Sequence, residues 1–227
     1  MKKQKIIQIF LMVAVLLMVT ACSGKKDTKT TDAEETKENK KIEISFPYAL
    51  DEERLLVNSL FQSSIENPDC DNEYADDIAS LEIVNQSGKY LESAEITVHM
   101  SDDTELHMSV ADVPSEQKVW VFDNQNQVLS SDATCISIEC DAKYLDEVPL
   151  MKDQVVVEVN ETTVTLLNQS EETLSGLTVE CHCIIDGVYY GGLTYSYPAE
   201  DIMPNGSVVI EAEDCFLGTA DVVRLSK

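Results

Sequence analysis

From Ser80 onward the chain alternates apolar and polar residues with a period of two, in short runs broken by Asp, Asn, Ser and Gly. "SLEIVNQSG", "AEITVHM", "ELHMSVADV", "KVWVFD" and "CISIEC" are rich in β-branched and aromatic residues, the composition of half-buried strands. "QVVVEV", "TVTLLNQS", "LTVECHCII", "VYYGGLTYSY", "SVVIEAE" and "ADVVRLS" continue the pattern to the end. One stretch breaks it. In "LDEERLLVNSLFQSSIEN", Asp51 stands at an N-cap position, Glu52 and Glu53 suit the first turn, and Leu56, Leu60 and Ile65 fall near one face, which predicts a short helix. About eleven strands and one helix make the expected class all-β.

A repeat organises these strands. "LEIVNQSGKYLESAEITVHM", Leu81 to Met100, aligns without gaps on "VTLLNQSEETLSGLTVECHC", Val164 to Cys183, at a constant offset of 83 residues. Asn85-Gln86-Ser87 falls on Asn168-Gln169-Ser170, Leu91 on Leu174 and His99 on His182, and Val113-Pro114 then matches Met203-Pro204 more loosely. Two copies of one unit imply tandem β-sandwiches: a first domain over 42–145, carrying the helix at its start, and a second over 155–227, joined around "LDEVPLMKD".

Strand parity assigns faces. Cys181 and Cys183 share the inward face with Leu177 and Val179, where two buried free thiols, or a bond from one of them to Cys215, both fit. Trp120 shares a face with Phe122 and is expected in the core. With Val98, Met100, Leu106 and Met108 inward, a hairpin centred near Asp103 sets His99 opposite His107 on the outer face.

The first 41 residues differ in kind. Lys2, Lys3 and Lys5 precede an apolar run, Ile6 to Val19, interrupted only by Gln8 and at about 14 residues too short to span a bilayer comfortably. This is the plan of a secretory signal peptide over 1–21. "SGKKDTKTTDAEETKENKK" follows, with no aromatic residue and dense charge of both signs, which predicts a disordered tether within 22–41. Such a tether spans roughly 25 Å on average and roughly 70 Å when taut.

Charge narrows the partners. The chain holds 16 basic and 42 acidic residues; nine lysines and five acids precede Ile42, so 42–227 carry seven basic against 37 acidic residues, a net charge of −30. A surface so poor in Lys and Arg excludes nucleic acid and stands off anionic lipid. "NPDCDNEYADD", Asn67 to Asp77, lacks the glycine and the terminal glutamate of a calcium helix-loop-helix and is read as a solvated acidic loop.

Two resemblances refine this picture. Val19-Thr20-Ala21-Cys22 resembles the bacterial lipobox, which implies that the Cys22 thiol receives a diacylglycerol, that cleavage falls before Cys22, and that the mature chain sits lipid-anchored on the extracytoplasmic face of the cell membrane. "LLNQSEETLSGLTVECHCIIDGVYYGG" with "IMPNGSVVIEAE" resembles the FxLYD-type immunoglobulin-like domains of bacterial lipoproteins, although the F-x-L-Y-D signature itself is absent. This resemblance implies an immunoglobulin-like sandwich used for binding or scaffolding, with no catalytic residues to carry over.

Candidate chemistry is correspondingly sparse. There is no G-x-S-x-G elbow, no H-E-x-x-H and no phosphate-cradling glycine loop, so neither an enzymatic activity nor a cofactor is expected. His99 and His107 are weak metal candidates for want of a third ligand. Tyr195 and Tyr197 share a face and are weak candidates for stacking on a glycan. The expected role is a non-catalytic membrane lipoprotein that binds another extracytoplasmic protein, with cell-wall or glycan binding as the alternative.

Overall fold

The computed structural model describes residues 43–227 apart from 53, 71 and 72. The expected signal peptide over 1–21, the expected lipidation site Cys22 and the expected tether over 22–41 lie outside the described residues. The described part is almost wholly β, as the alternation predicts.

In the first half, β1 (Tyr48–Leu50), β2 (Leu55–Asn67), β3 (Glu73–Asn85) and β6 (Lys118–Phe122) hydrogen-bond in that order into one sheet. The strands β4 (Tyr90–Met100), β5 (Glu105–Val113) and β7 (Cys135–Leu145) form another, with β4 central. Leu55, Val57, Leu81, Ile83, Val119 and Val121 of the first sheet share one core with Ala94, Ile96, Val98, Leu106, Met108 and Val110 of the second.

The second half repeats this plan with β8 (Val155–Asn160), β9 (Thr163–Asn168), β10 (Thr178–Ile185), β12 (Tyr195–Pro198), β13 (Ser207–Glu211) and β14 (Thr219–Ser226). The pairing β2-β3-β6 recurs as β8-β9-β13, and β5-β4-β7 recurs as β12-β10-β14. A second core gathers Val164, Leu166, Leu177, Val179, Cys181 and Val222. Cys183 is bonded to Cys215, with Cα atoms 5.1 Å apart, pinning β10 to the short 3-10 turn Glu213–Cys215. Cys70, Cys135, Cys140 and Cys181 are free thiols.

The repeated N-x-S triplet explains itself in atoms. Asn85 and Asn168 are both fully buried. The Asn85 amide donates to the carbonyls of Lys89 (2.9 Å) and Val113 (2.8 Å), while its oxygen accepts from the Ser87 backbone N–H (3.1 Å) and hydroxyl (2.6 Å). Asn168 repeats every bond, donating to Glu172 (2.7 Å) and Ile202 (2.9 Å) and accepting twice from Ser170 (2.8 and 2.7 Å). A buried amide with all these partners fixes a strand end that would otherwise leave carbonyls unpaired. The pattern also corrects the looser part of the alignment: Val113 corresponds to Ile202, one residue before the expected Met203. The reach from Asn to acceptor is 28 residues in the first copy and 34 in the second.

Those extra residues accommodate β11 (Val188–Tyr190), which pairs with β10 and runs parallel to β6, with Tyr189 beside Val119 and Tyr190 beside Trp120. One sheet therefore passes from the first half into the second, and the described residues belong to one compact unit.

The expected helix near Asp51 is a strand. Leu55 and Val57 are both fully buried; on a helix, residues two apart point roughly 200° away from each other, so only a strand buries both. Burying the pair contributes about 3–6 kcal/mol, more than the weak helical preference of the stretch. Pairing with β3 along most of its length completes β2. Asp51 sits instead in the β1–β2 turn with φ 47°, its carboxylate accepting from Arg54 (2.8 Å) and from the Tyr144 hydroxyl (2.7 Å).

Candidate interaction cleft

Where the halves meet, polar side chains are buried, most of them with hydrogen-bond partners, although His182 Nδ1 has none. Asp69, expected in a solvated acidic loop, lies 9% exposed between them. Its Oδ2 accepts from the backbone N–H of Gly192 (2.8 Å) and Phe122 (3.1 Å), and its Oδ1 accepts from Leu193 (3.0 Å). Burial raises its pKa to about 6 despite these three donors. The Gly-Gly pair of "VYYGGLTYSY" permits this approach. A Cβ on Gly192 would lie 2.1 Å from the Ser109 carbonyl oxygen, and Gly191, at φ +95°, would bring one to 2.7 Å from Pro68.

Around Asp69 the junction is tied by longer-range bonds. Arg224 donates through Nε (2.8 Å) and Nη2 (2.5 Å) to Asp112 Oδ1. The Tyr90 hydroxyl reaches the same carboxylate and the Val223 carbonyl, each at 2.8 Å. His182 stacks on Tyr189 at 4.3 Å and its Nε2 meets the Ala111 carbonyl oxygen at 2.8 Å. Complete burial lowers the imidazole pKa to about 4, so the ring is neutral and donates from Nε2. Its repeat counterpart His99 is 26% exposed and flanked by Glu105 (3.3 Å) and Glu139 (3.6 Å). The same position is thus a fully buried contact in one copy and a partly exposed group in the other.

Beside this junction opens a cleft of about 370 Å³. Ile65 and Glu66 line it from β2, Tyr74 from β3, and Ile185, Tyr190 and Tyr195 from the second half, with the Cys183–Cys215 bond as part of its wall. Asp214, Phe216 and Leu217 complete it. Phe216 and Leu217 are 68% and 64% exposed, and Tyr74 is 64% exposed, an apolar grouping of the kind that marks interaction surfaces. Among the described lining residues are two carboxylates and no Lys, Arg or His. The tyrosines stay neutral: burial, then the charge of Asp214, pushes Tyr195 up to about 12, and burial, then Glu66, raises Tyr190.

The candidates read from the sequence fall elsewhere or only partly here. His99 pairs with Glu105 and His107 with Thr97, because the hairpin is centred one residue earlier than expected; the two rings share the outer face of adjacent strands but are not opposite. His107 Nδ1 lies 3.5 Å from Thr97 Oγ1. No cluster of three or more metal-ligating side chains occurs among the described residues. Tyr195 and Tyr197 do share a face, but it is the one packed against the second core, and the Tyr197 hydroxyl donates to Asp214 at 2.7 Å. Trp120 and Phe122 share the face opposite Val119 and Val121, outside the first core. Trp120 donates from Nε1 to Glu82 (3.2 Å), and Phe122 meets Tyr190 edge to face at 5.4 Å.

Tyr74, Phe216 and Leu217 were not legible as a site. Their signal is an apolar pair in "DCFLG", next to the bridging Cys215 and outside any alternating run. The disulfide suggests a stability test. Cys183→Ala with Cys215→Ala should lower the unfolding free energy by about 3 kcal/mol through the released loop, measured by urea denaturation under non-reducing conditions. Full retention of stability would show that the bond adds nothing to the packing around it.

In comparisons with known proteins, no family model and no curated sequence matches this chain.

Proposed function

We propose that this protein is an extracytoplasmic lipoprotein, held to the cell membrane by a diacylglycerol on Cys22, whose folded part is a non-catalytic protein-binding module. The observation that carries the reading is the Val19-Thr20-Ala21-Cys22 box behind a basic start and a 14-residue apolar run, Ile6 to Val19. A disulfide between Cys183 and Cys215 supports an oxidising compartment. In this reading the paired strand patterns of the two halves are tandem immunoglobulin-like sandwiches, the second of the FxLYD type, and the exposed apolar cleft between them is the surface for a partner. The net charge of −30 over 42–227 excludes nucleic acid as that partner.

The test is intact mass and detergent-phase partitioning of the protein recovered from membranes. The expected result is a mature N-terminus at Cys22 carrying the lipid increment, with Cys22→Ala left unprocessed and lacking the lipid. A mature N-terminus at another residue, or equal acylation of the variant, would overturn the reading.

A further inference from the structure

We propose that the cleft receives a basic, apolar segment of the partner protein, with a Lys or Arg side chain lying against the tyrosine rings and its charge directed toward Glu66 and Asp214. This deepens the protein-binding reading and rests on it. Three observations select the ligand. The cleft presents Tyr74, Tyr190 and Tyr195, whose ring faces attract an alkylammonium or guanidinium group. Its charged lining groups are carboxylates, within a fold bearing seven basic and 37 acidic residues, so a cation is drawn in and an acidic segment repelled. The exposed side chains of Phe216 and Leu217 require an apolar neighbour beside that cation, which a peptide supplies and a simple metal ion does not.

The stem of a Lys or Arg suits such a place, because its methylenes cover apolar surface while its head stays with the carboxylates. Shape and charge are thus read together. A purely cationic peptide would find carboxylates over the whole surface, and a purely apolar one would bring no counter-charge to Glu66 and Asp214.

The experiment titrates a fluorescein-labelled Gly-Leu-Lys-Phe-Lys-Leu-Gly peptide into the full-length protein in non-ionic detergent, with detergent alone as the blank. The expected Kd is on the order of tens of micromolar. Replacing both lysines by glutamate, or the Leu and Phe residues by serine, should weaken binding at least about tenfold. Phe216→Ser with Leu217→Ser should weaken it as much while leaving net charge and thermal unfolding unchanged, and Glu66→Gln with Asp214→Asn should flatten its salt dependence. Equal binding to the Phe216/Leu217 variant would reduce the effect to general acidic attraction and overturn the proposal, as would no binding below millimolar peptide. Binding in detergent that disappears in phosphatidylcholine nanodiscs would assign the patch to lipid and overturn it too.

Photo-crosslinkers placed at Leu217 and at Val209 on β13, in native membranes, separate the two levels. Capture of a protein at Val209 alone overturns the cleft and leaves the protein-binding reading standing. Failure at both positions, with no peptide bound, overturns both.

Discussion

Asp69→Ala should cost about 5 kcal/mol of unfolding free energy, an effect large enough to leave the protein partly unfolded at growth temperature. The substitution strands three N–H groups, those of Phe122, Gly192 and Leu193, in a junction with little access to water. Each unpaired buried donor costs about 1–3 kcal/mol, and the three act on one carboxylate. Asp69→Asn keeps one acceptor oxygen and turns an amide N–H₂ toward a donor, so it should cost less than alanine. Its pH dependence is distinctive. Because the native pKa of Asp69 is raised from 3.8 to about 6, its protonated form favours the fold. That contribution is full below about 4 and is lost as pH rises through 6. The margin of the wild type over Asp69→Asn should therefore grow by about 2 kcal/mol between pH 6 and pH 4. Urea unfolding across that range reads it directly; a margin that shrinks on acidification would show that the carboxylate is held ionised.

His182 works in the opposite sense. Its native pKa is lowered to about 4, so the neutral ring's contribution is present above the unfolded value near 6.5 and is lost as pH falls toward 4. The two buried groups face each other's halves and their pH slopes oppose across this window. The Asp69→Asn comparison cancels the His182 term, which is common to both proteins.

The second large effect belongs to the repeated asparagines. Asn85→Ala and Asn168→Ala should each lower stability by about 4 kcal/mol, since each removes two donors and an acceptor that serves two N–H or O–H groups. The aspartate variants are the sharper probe: they keep the acceptor but point a charge at two carbonyl oxygens, and should cost at least as much as alanine. Thermal and urea unfolding of all four variants checks this. A large loss at Asn85 with none at Asn168 would mean that the second copy tolerates an open strand end.

How much of this was readable follows from where each signal lives. Alternation in "AEITVHM" and "LTVECHC" is enforced by a core on one face, so the strands and the inward parity of Cys181 and Cys183 follow from the sequence alone. The N-Q-S repeat was visible because the same buried amide, with the same four hydrogen bonds, closes a strand end in both copies. The strand at Leu55–Asn67 was not, because its apolar residues, at 55, 56, 57, 60, 61 and 65, fit neither period cleanly and only β3 decides between them. Asp69 looked like any other acid in an acidic stretch; its burial depends on a glycine pair more than 120 residues away. The hairpin at Asp102–Asp103 escaped by one residue, enough to separate His99 from His107, since turn geometry sets register and several small polar residues there fit a turn. Phe216 and Leu217 carry no periodicity, so the cleft had no one-dimensional trace.

The β6–β11 pairing also shapes the order of assembly. A ribosome releases the chain from its N-terminus, and β6 can pair with β3 as soon as Phe122 has emerged, since only a few dozen residues separate them. Its other edge must wait for Val188–Tyr190, some 70 residues later. Throughout that interval the nascent chain carries an open strand edge bearing Trp120 and Phe122, the form of edge that recruits other chains. A holding chaperone that shields this edge until β11 arrives should raise the yield of folded protein, and slowing translation between the two strands should lower it.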